Sequence, residues 1–188
     1  MALLAERTLE YVRILKGSEH AVAVYDNPED KWRLVSTHIA EAFDKGGGAF
    51  YVCYFENPQD VRAQLKRHGI DTDLHEKRGD FTIVEFGDYI KEERFYKIGS
   101  ELSEISNQLL TKGGHIREAD DLTPAIKSGY AEEVLKFERM AGSTLKWPIA
   151  AICAYETRAV IDQGRKFFTE LAKAHGHIIL RGVAEKLQ

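Results

Sequence analysis

The chain is poor in cysteine and proline, with two and four among 188 residues. Its two thiols, Cys53 and Cys153, fall in separate apolar runs. They cannot form the disulfide framework of a small secreted scaffold, and buried, reduced thiols are the expected state. An excess of basic charge is also missing. Lys and Arg number 26 against 30 Asp and Glu, for a net charge of −4. That balance argues against nucleic acid as a partner, and the local pair Lys66-Arg67 does not reverse it. No apolar run approaches the roughly 18 residues that a bilayer span requires, so no membrane partner is expected. The first residues lack the basic-then-apolar layout of a leader, because Glu6 and Glu10 interrupt it. These absences point to a cytoplasmic protein. No linker or low-complexity stretch divides the sequence, so residues 1–188 are expected to form one domain with a sizeable core.

Several motifs are missing as well. A phosphate-binding loop needs glycines whose N–H groups cradle phosphate, followed by Lys and a hydroxyl that opens a helix. The corresponding stretch is Asp26-Asn27-Pro28-Glu29-Asp30-Lys31-Trp32. It has no glycine, Pro28 has no N–H, and three carboxylates would repel a triphosphate. Lys31 stands where a loop lysine would, but Trp32 replaces the magnesium-binding hydroxyl. Gly46-Gly47-Gly48 precedes a strand instead of following one, and so reads as a helix end and turn. The seven histidines form no metal pattern with cysteine, and the one close pair, His175 and His177, reads as a turn before a strand. No Gly-x-Ser-x-Gly elbow is present. Catalytic residues, a metal and a cofactor are therefore not expected.

What the sequence does contain is an alternation of strands and helices. A helix is expected within residues 1–16, with Leu4, Thr8, Tyr11, Val12 and Leu15 at helical spacing. Residues 19–25 read as a first buried strand. Asn27-Pro28 then caps a helix that buries Trp32, Val35, Ile39 and Phe43. The second strand follows the glycines, and Asn57-Pro58 repeats the cap. A third strand is expected over 80–86, after a polar turn. A long helix comes next, with Phe95, Ile98, Leu102, Ile105 and Leu109 on one stripe. That stripe suits packing against a sheet; a partner helix or a homo-oligomer seam is the alternative. Residues 115–128 read as an acidic loop with a short strand near Ile116. Beyond them come a helix over 129–140, an apolar strand over 147–156, one helix over 160–174 and a closing strand over 177–182. This is an α/β chain with a largely parallel sheet.

Ligands of open α/β sheets bind beyond the carboxyl ends of the strands. Tyr25, Asp26, Glu56, Asn57, Tyr155 and Glu156 fall at such ends, and His20 opens the first strand.

The ordered set Gly17–Tyr25, Gly48–Tyr54, His115-Ile116-Arg117, Leu135–Glu138, Ile152–Glu156 and His177–Gly182 spans nearly the whole chain. It resembles the MEDS family, the sensory domain of methanogens, methylotrophs and DcmR. The resemblance implies a three-layer RecA-like core, similar to KaiC and RadA but without their phosphate loop. Where active relatives carry Glu-Glu after strand two, this chain has Glu56-Asn57, so only Glu56 carries over. No helix-turn-helix or kinase module is attached. The resemblance further implies a sensor of a small molecule, with hydrocarbon derivatives as the ligand class that the family suggests, signalling to a separate regulatory protein. Its pocket would be lined by Tyr25, Glu56 and Tyr155, with His20 and Arg117 nearby. A degenerate nucleotide binder, or a structural subunit assembling with an active RecA-like ATPase, is the competing expectation.

Overall fold

The computed structural model describes residues 6–180 and the backbone of 183–186. Leu3 and Leu4 of the expected first helix, and Arg181 and Gly182 of the expected closing strand, lie outside the described residues. In chain order the elements are α1 (Glu6–Ile14), β1 (His20–Tyr25), α2 (Pro28–Asp44), β2 (Gly48–Cys53), α3 (Pro58–Arg67), α4 (Thr72–Arg78), β3 (Phe81–Glu85), α5 (Gly87–Lys91) and α6 (Phe95–Leu110). They continue with β4 (Ile116–Asp121), α7 (Thr123–Lys127), α8 (Ala131–Ala141), β5 (Ile149–Glu156), α9 (Thr157–Asp162), α10 (Gly164–Lys173), β6 (His177–Leu180) and β7 (Val183–Lys186).

The strands form one sheet in the order β3-β2-β4-β5-β1-β6-β7. The first six are parallel throughout, and β7 pairs antiparallel with β6 at the edge. Helices α1, α2 and α3 cover one face. Trp32, Val35, Ile39, Val61 and Leu65 pack there on Ala49, Tyr51 and Ala119, while Val12 and Leu34 pack on Ala21, Ala150 and Ile152. Helices α5 to α10 cover the other face through Ile90, Ile98, Leu102, Ala125, Phe137, Val160 and Leu171. The chain is thus a three-layer α/β domain, as expected. The α6 stripe is spent on this core: Ile98, Leu102, Ile105 and Leu109 are buried. Each such side chain stabilises the fold by roughly 1.5–3 kcal/mol when fully buried.

Local signals explain how the strands end. Asn27 Oδ1 accepts from the Asp30 amide at 3.0 Å, and Asn57 Oδ1 accepts from the Gln59 amide at 2.8 Å. Each cap, with proline at the next position, stops a strand and starts a helix. The glycine run closes α2, with Gly46 at φ 71°. Gly47 is held closer to a neighbour than any side chain allows, since a Cβ there would stand 2.0 Å from the His115 carbonyl oxygen.

Four details differ from the sequence expectation. The acidic segment after His115 is not a loop but β4, a central strand buried along its whole length. The polar turn before β3 contains the helix α4, and the short helix α5 follows β3. The helix expected over 160–174 is two helices, broken at Gly164, whose φ is 84°.

Candidate functional site

The carboxyl ends of β1, β2 and β4 converge on one buried ammonium. Lys31, in the first turns of α2, donates to Asp121 Oδ2 at 2.8 Å and to Glu56 Oε1 at 3.2 Å. Its Nζ also lies 4.1 Å from the centre of the Trp32 ring. Tyr25 donates to Asp121 Oδ2 at 2.7 Å, and Tyr51 donates to Glu56 Oε2 at 2.8 Å. The other Asp121 oxygen accepts from the Thr123 amide at 2.9 Å. Phe55, at φ 71°, turns the chain after β2 so that Glu56 folds back over Tyr51. Such a left-handed non-glycine residue costs on the order of 1 kcal/mol.

Charge in this cluster is finely set. Burial drives the Glu56 carboxyl up to about 7, against the opposing pull of the Lys31 ammonium. Burial also disfavours the charged ammonium, yet Asp121 and then Glu56 together raise Lys31 above its ordinary value. One ammonium thus serves two carboxyl groups, and Lys31 keeps its charge while Glu56 titrates near neutrality.

The remaining expected residues divide by location. Asp26 and Glu156 lie at the same edge: Thr157 Oγ1 donates to Asp26 Oδ1 at 2.6 Å and to the Tyr25 carbonyl at 3.0 Å, and Lys127 pairs with Glu156. Asn57 is engaged in capping α3. Arg117 is at the opposite end of the sheet, where it donates to the Val12 and Arg13 carbonyls at the end of α1. His20 and Tyr155 point into the other face of the sheet, away from Lys31.

Alternation along the strands explains that second group. In β4, Arg117, Ala119 and Asp121 face α2, which sends Glu118 and Asp120 to the opposite face. There they share a region with His20 of β1 and with Cys153 and Tyr155 of β5, and Glu138 of α8 closes it from above. His175, just after α10, completes the cluster. All of these groups are buried. His20 Nε2 is 3.1 Å from Cys153 Sγ and 3.6 Å from Glu138 Oε2, and His175 Nε2 is 3.5 Å from the same oxygen. Burial lowers both imidazoles to about 4, so they are neutral at pH 7 and these contacts are not ion pairs. Tyr155 donates to Glu138 Oε1. Glu138 Oε2, His175 Nε2, Asp120 Oδ1 and Glu118 Oε1 are buried without a hydrogen-bond partner. A cavity of about 30 Å³, lined by His20, Cys153, Glu118 and Asp120 with apolar walls from Leu102 and Phe137, adjoins them.

A third feature is apolar. A pocket of about 370 Å³ opens beside the carboxyl ends of β1 and β6, between Val24, Leu180, Val160 and Phe168. Thr157, which is anchored to Tyr25 and Asp26, forms part of its wall.

Asp121, Glu118 and Asp120 give no site signal in the sequence, because a short strand is expected only near Ile116 and the acidic run beyond it has the composition of a loop. Lys31 stands out there only as the residue of an absent phosphate loop. Cys153, Glu138 and His175 carried no local signal, since their partners are 17 or more positions away.

The six parallel strands with helical layers on both faces have the layout of a RecA-like α/β domain, and the Lys31 cluster stands where a glycine loop would be. The model of the MEDS family, the methanogen/methylotroph, DcmR sensory domain, matches residues 19–175, and the chain belongs to that family. Among solved structures it is similar to a KaiC-like protein from the hyperthermophilic archaeon Pyrococcus horikoshii. The TM-score is 0.61 at 15% identity, covering 86% of this chain and 70% of that one, a likeness of fold. Comparison with curated protein sequences gives no match. No helix among the described residues is long and apolar enough to cross a membrane. Family membership gives the domain a sensory or regulatory role.

Proposed function

We propose that the domain is a non-catalytic sensor that binds a small hydrocarbon derivative at the carboxyl ends of β1 and β6 and passes the signal to a separate protein. The observation that carries this reading is the apolar pocket of about 370 Å³, which falls within the size range of small-molecule sites. Thr157 and Arg165 supply polar groups to its lining, and Thr157 in turn is bonded to Tyr25 and Asp26. Thr157 links the pocket wall to Tyr25, and Tyr25 holds Asp121 of the Lys31 cluster. A ligand that moves α9 would therefore bear on Tyr25, and through it on Asp121, Lys31 and Glu56. Differential affinity for two arrangements of that chain of contacts is what signalling requires.

The same cluster supports the absence of catalysis. Lys31 is engaged by two carboxyl groups, and a nucleotide phosphate would have to displace both. Titration calorimetry against short alkyl halides, alcohols and amines tests the reading, with Val160→Trp as a pocket-filling variant. The expected result is heat of binding in the parent chain and none in the variant. Equal binding in both chains would place the ligand elsewhere. Magnesium-dependent binding or hydrolysis of ATP would favour the nucleotide reading that the fold suggests, and neither is expected at millimolar nucleotide.

A further inference from the structure

We propose that His20, Cys153, His175 and Glu138 form a binding site for one divalent transition-metal ion of the zinc type, independent of the apolar pocket. Four potential ligand atoms from β1, β5, α8 and the turn after α10 lie within 4.8 Å of one another. A tetrahedral ion with bonds of about 2.0–2.3 Å places its ligand atoms about 3.3–3.8 Å apart. The separations here are 3.1, 3.5 and 3.6 Å, close to the edges of that tetrahedron.

The surroundings orient each ligand toward the shared point. His20 Nδ1 lies 2.8 Å from the Gly142 carbonyl, and His175 Nδ1 lies 2.8 Å from the Leu171 carbonyl. A carbonyl only accepts, so each imidazole carries its proton on Nδ1 and turns an Nε2 lone pair inward. Outer hydrogen bonds of this kind fix the tautomer of metal-binding histidines. Tyr155 does the same for Glu138: it occupies Oε1 and leaves Oε2 aimed at the two imidazoles. Both Glu138 Oε2 and His175 Nε2 are buried without a hydrogen-bond partner. Asp120 Oδ2 stands 3.5 Å from the sulfur and accepts from the thiol.

Charge and donor type select the ion. A thiolate, a carboxylate and two neutral imidazoles sum to two negative charges, which a divalent cation cancels inside a buried site. Binding releases the Cys153 thiol proton to solvent, together with the Glu138 proton where the carboxyl holds one. Sulfur and imidazole donors favour zinc, cobalt or nickel over magnesium or calcium, which prefer oxygen. The adjoining cavity of about 30 Å³ is large enough for one water-sized ligand beside the ion.

Chelator-treated, reduced full-length protein, titrated with Co²⁺ and then Zn²⁺, tests the site. One ion per chain is expected, with visible bands of tetrahedral cobalt and an ultraviolet thiolate-to-cobalt band that Zn²⁺ abolishes. Cys153→Ser should remove the ultraviolet band. His175→Gln should weaken Zn²⁺ binding by more than about 10-fold, the effect that losing even an outer partner produces. Tyr155→Phe should weaken it by about 10-fold and leave the cobalt spectrum in place. Circular dichroism identifies which variants remain folded. No stoichiometric binding by the folded parent chain would overturn the proposal. So would an unchanged cobalt spectrum in folded Cys153→Ser, or binding that depends on Asp120 and Glu118 but not on His175.

Discussion

Two polar clusters lie on opposite faces of the same sheet, and both bury several carboxyl groups. On the α2 face, Glu56 and Asp121 share the ammonium of Lys31, and two tyrosine hydroxyls complete their bonding. On the α8 face, Glu118, Asp120 and Glu138 have no Lys or Arg among their described contacts, and four polar atoms there lack partners. The first cluster is closed by a charge that the chain itself supplies. The second has carboxyl, thiol and imidazole groups lined by no Lys or Arg among the described residues. Burial pushes the Glu118 and Asp120 carboxyls well above the usual carboxylate range, which favours their neutral forms. The same sheet thus carries one polar cluster neutralised from within the chain and another whose buried polar atoms are left without partners.

The largest way to break this contrast is Lys31→Met. It leaves two buried carboxyl groups without their cation and should destabilise the fold by about 3–5 kcal/mol, read from urea unfolding. Adding Glu56→Gln and Asp121→Asn to that variant should recover most of the loss. A failure to recover would mean that packing by the lysine stem matters more than its charge.

The contrast can also be sharpened by pH. The native state holds the Glu56 proton up to about pH 7, whereas the ordinary value is 4.5. The folded chain therefore binds this proton more tightly than the unfolded chain does. The contribution of Glu56 to stability is greatest below pH 4.5, falls as pH rises through 7, and is constant above that. Urea midpoints measured between pH 5 and 8 should show this decline, and Glu56→Gln should flatten it. An identical slope in the variant would assign the titration to another group.

Smaller effects follow for single bonds. Tyr25→Phe removes one of the bonds that hold Asp121 and should cost about 0.5–1.5 kcal/mol by thermal or urea unfolding. In chelator-treated protein, Glu138→Gln should change stability by less than about 1 kcal/mol, because an amide keeps the volume and can still accept from Tyr155. A loss as large as that of Lys31→Met would mean that the two faces are balanced in the same way after all.

Much of the first cluster was legible in the chain. Tyr25-Asp26-Asn27-Pro28 and Glu56-Asn57-Pro58 announce strand ends through their caps, and Lys31 stands out against an acidic loop. Asp121 was hidden by composition: Arg117-Glu118-Ala119-Asp120-Asp121 is depleted in strand-forming side chains, so it reads as a loop. Its acids are tolerated in a central strand only because the neighbouring elements provide Lys31 on one side and the enclosed cluster on the other. The second cluster was illegible for a different reason. Its members come from β1, β4, α8, β5 and the turn after α10, and only the strand order brings them together. The break between α9 and α10 rests on one glycine, and the 3.6-residue pattern runs through it unchanged.

Arg117 sets where the folding unit begins. Its guanidinium is buried between the central strand and helix α1, and it donates to the carbonyls of Val12 and Arg13, at 3.3 and 2.9 Å. The span that matches the family model starts only at residue 19. A chain trimmed to that limit would keep every strand among the described residues, yet it would remove the two carbonyls to which this buried guanidinium donates, leaving the His38 contact at 3.4 Å. Residues ahead of the family span therefore take part in the interior around the central strand. Helix α1 works as a plug for a hole that the central strand creates.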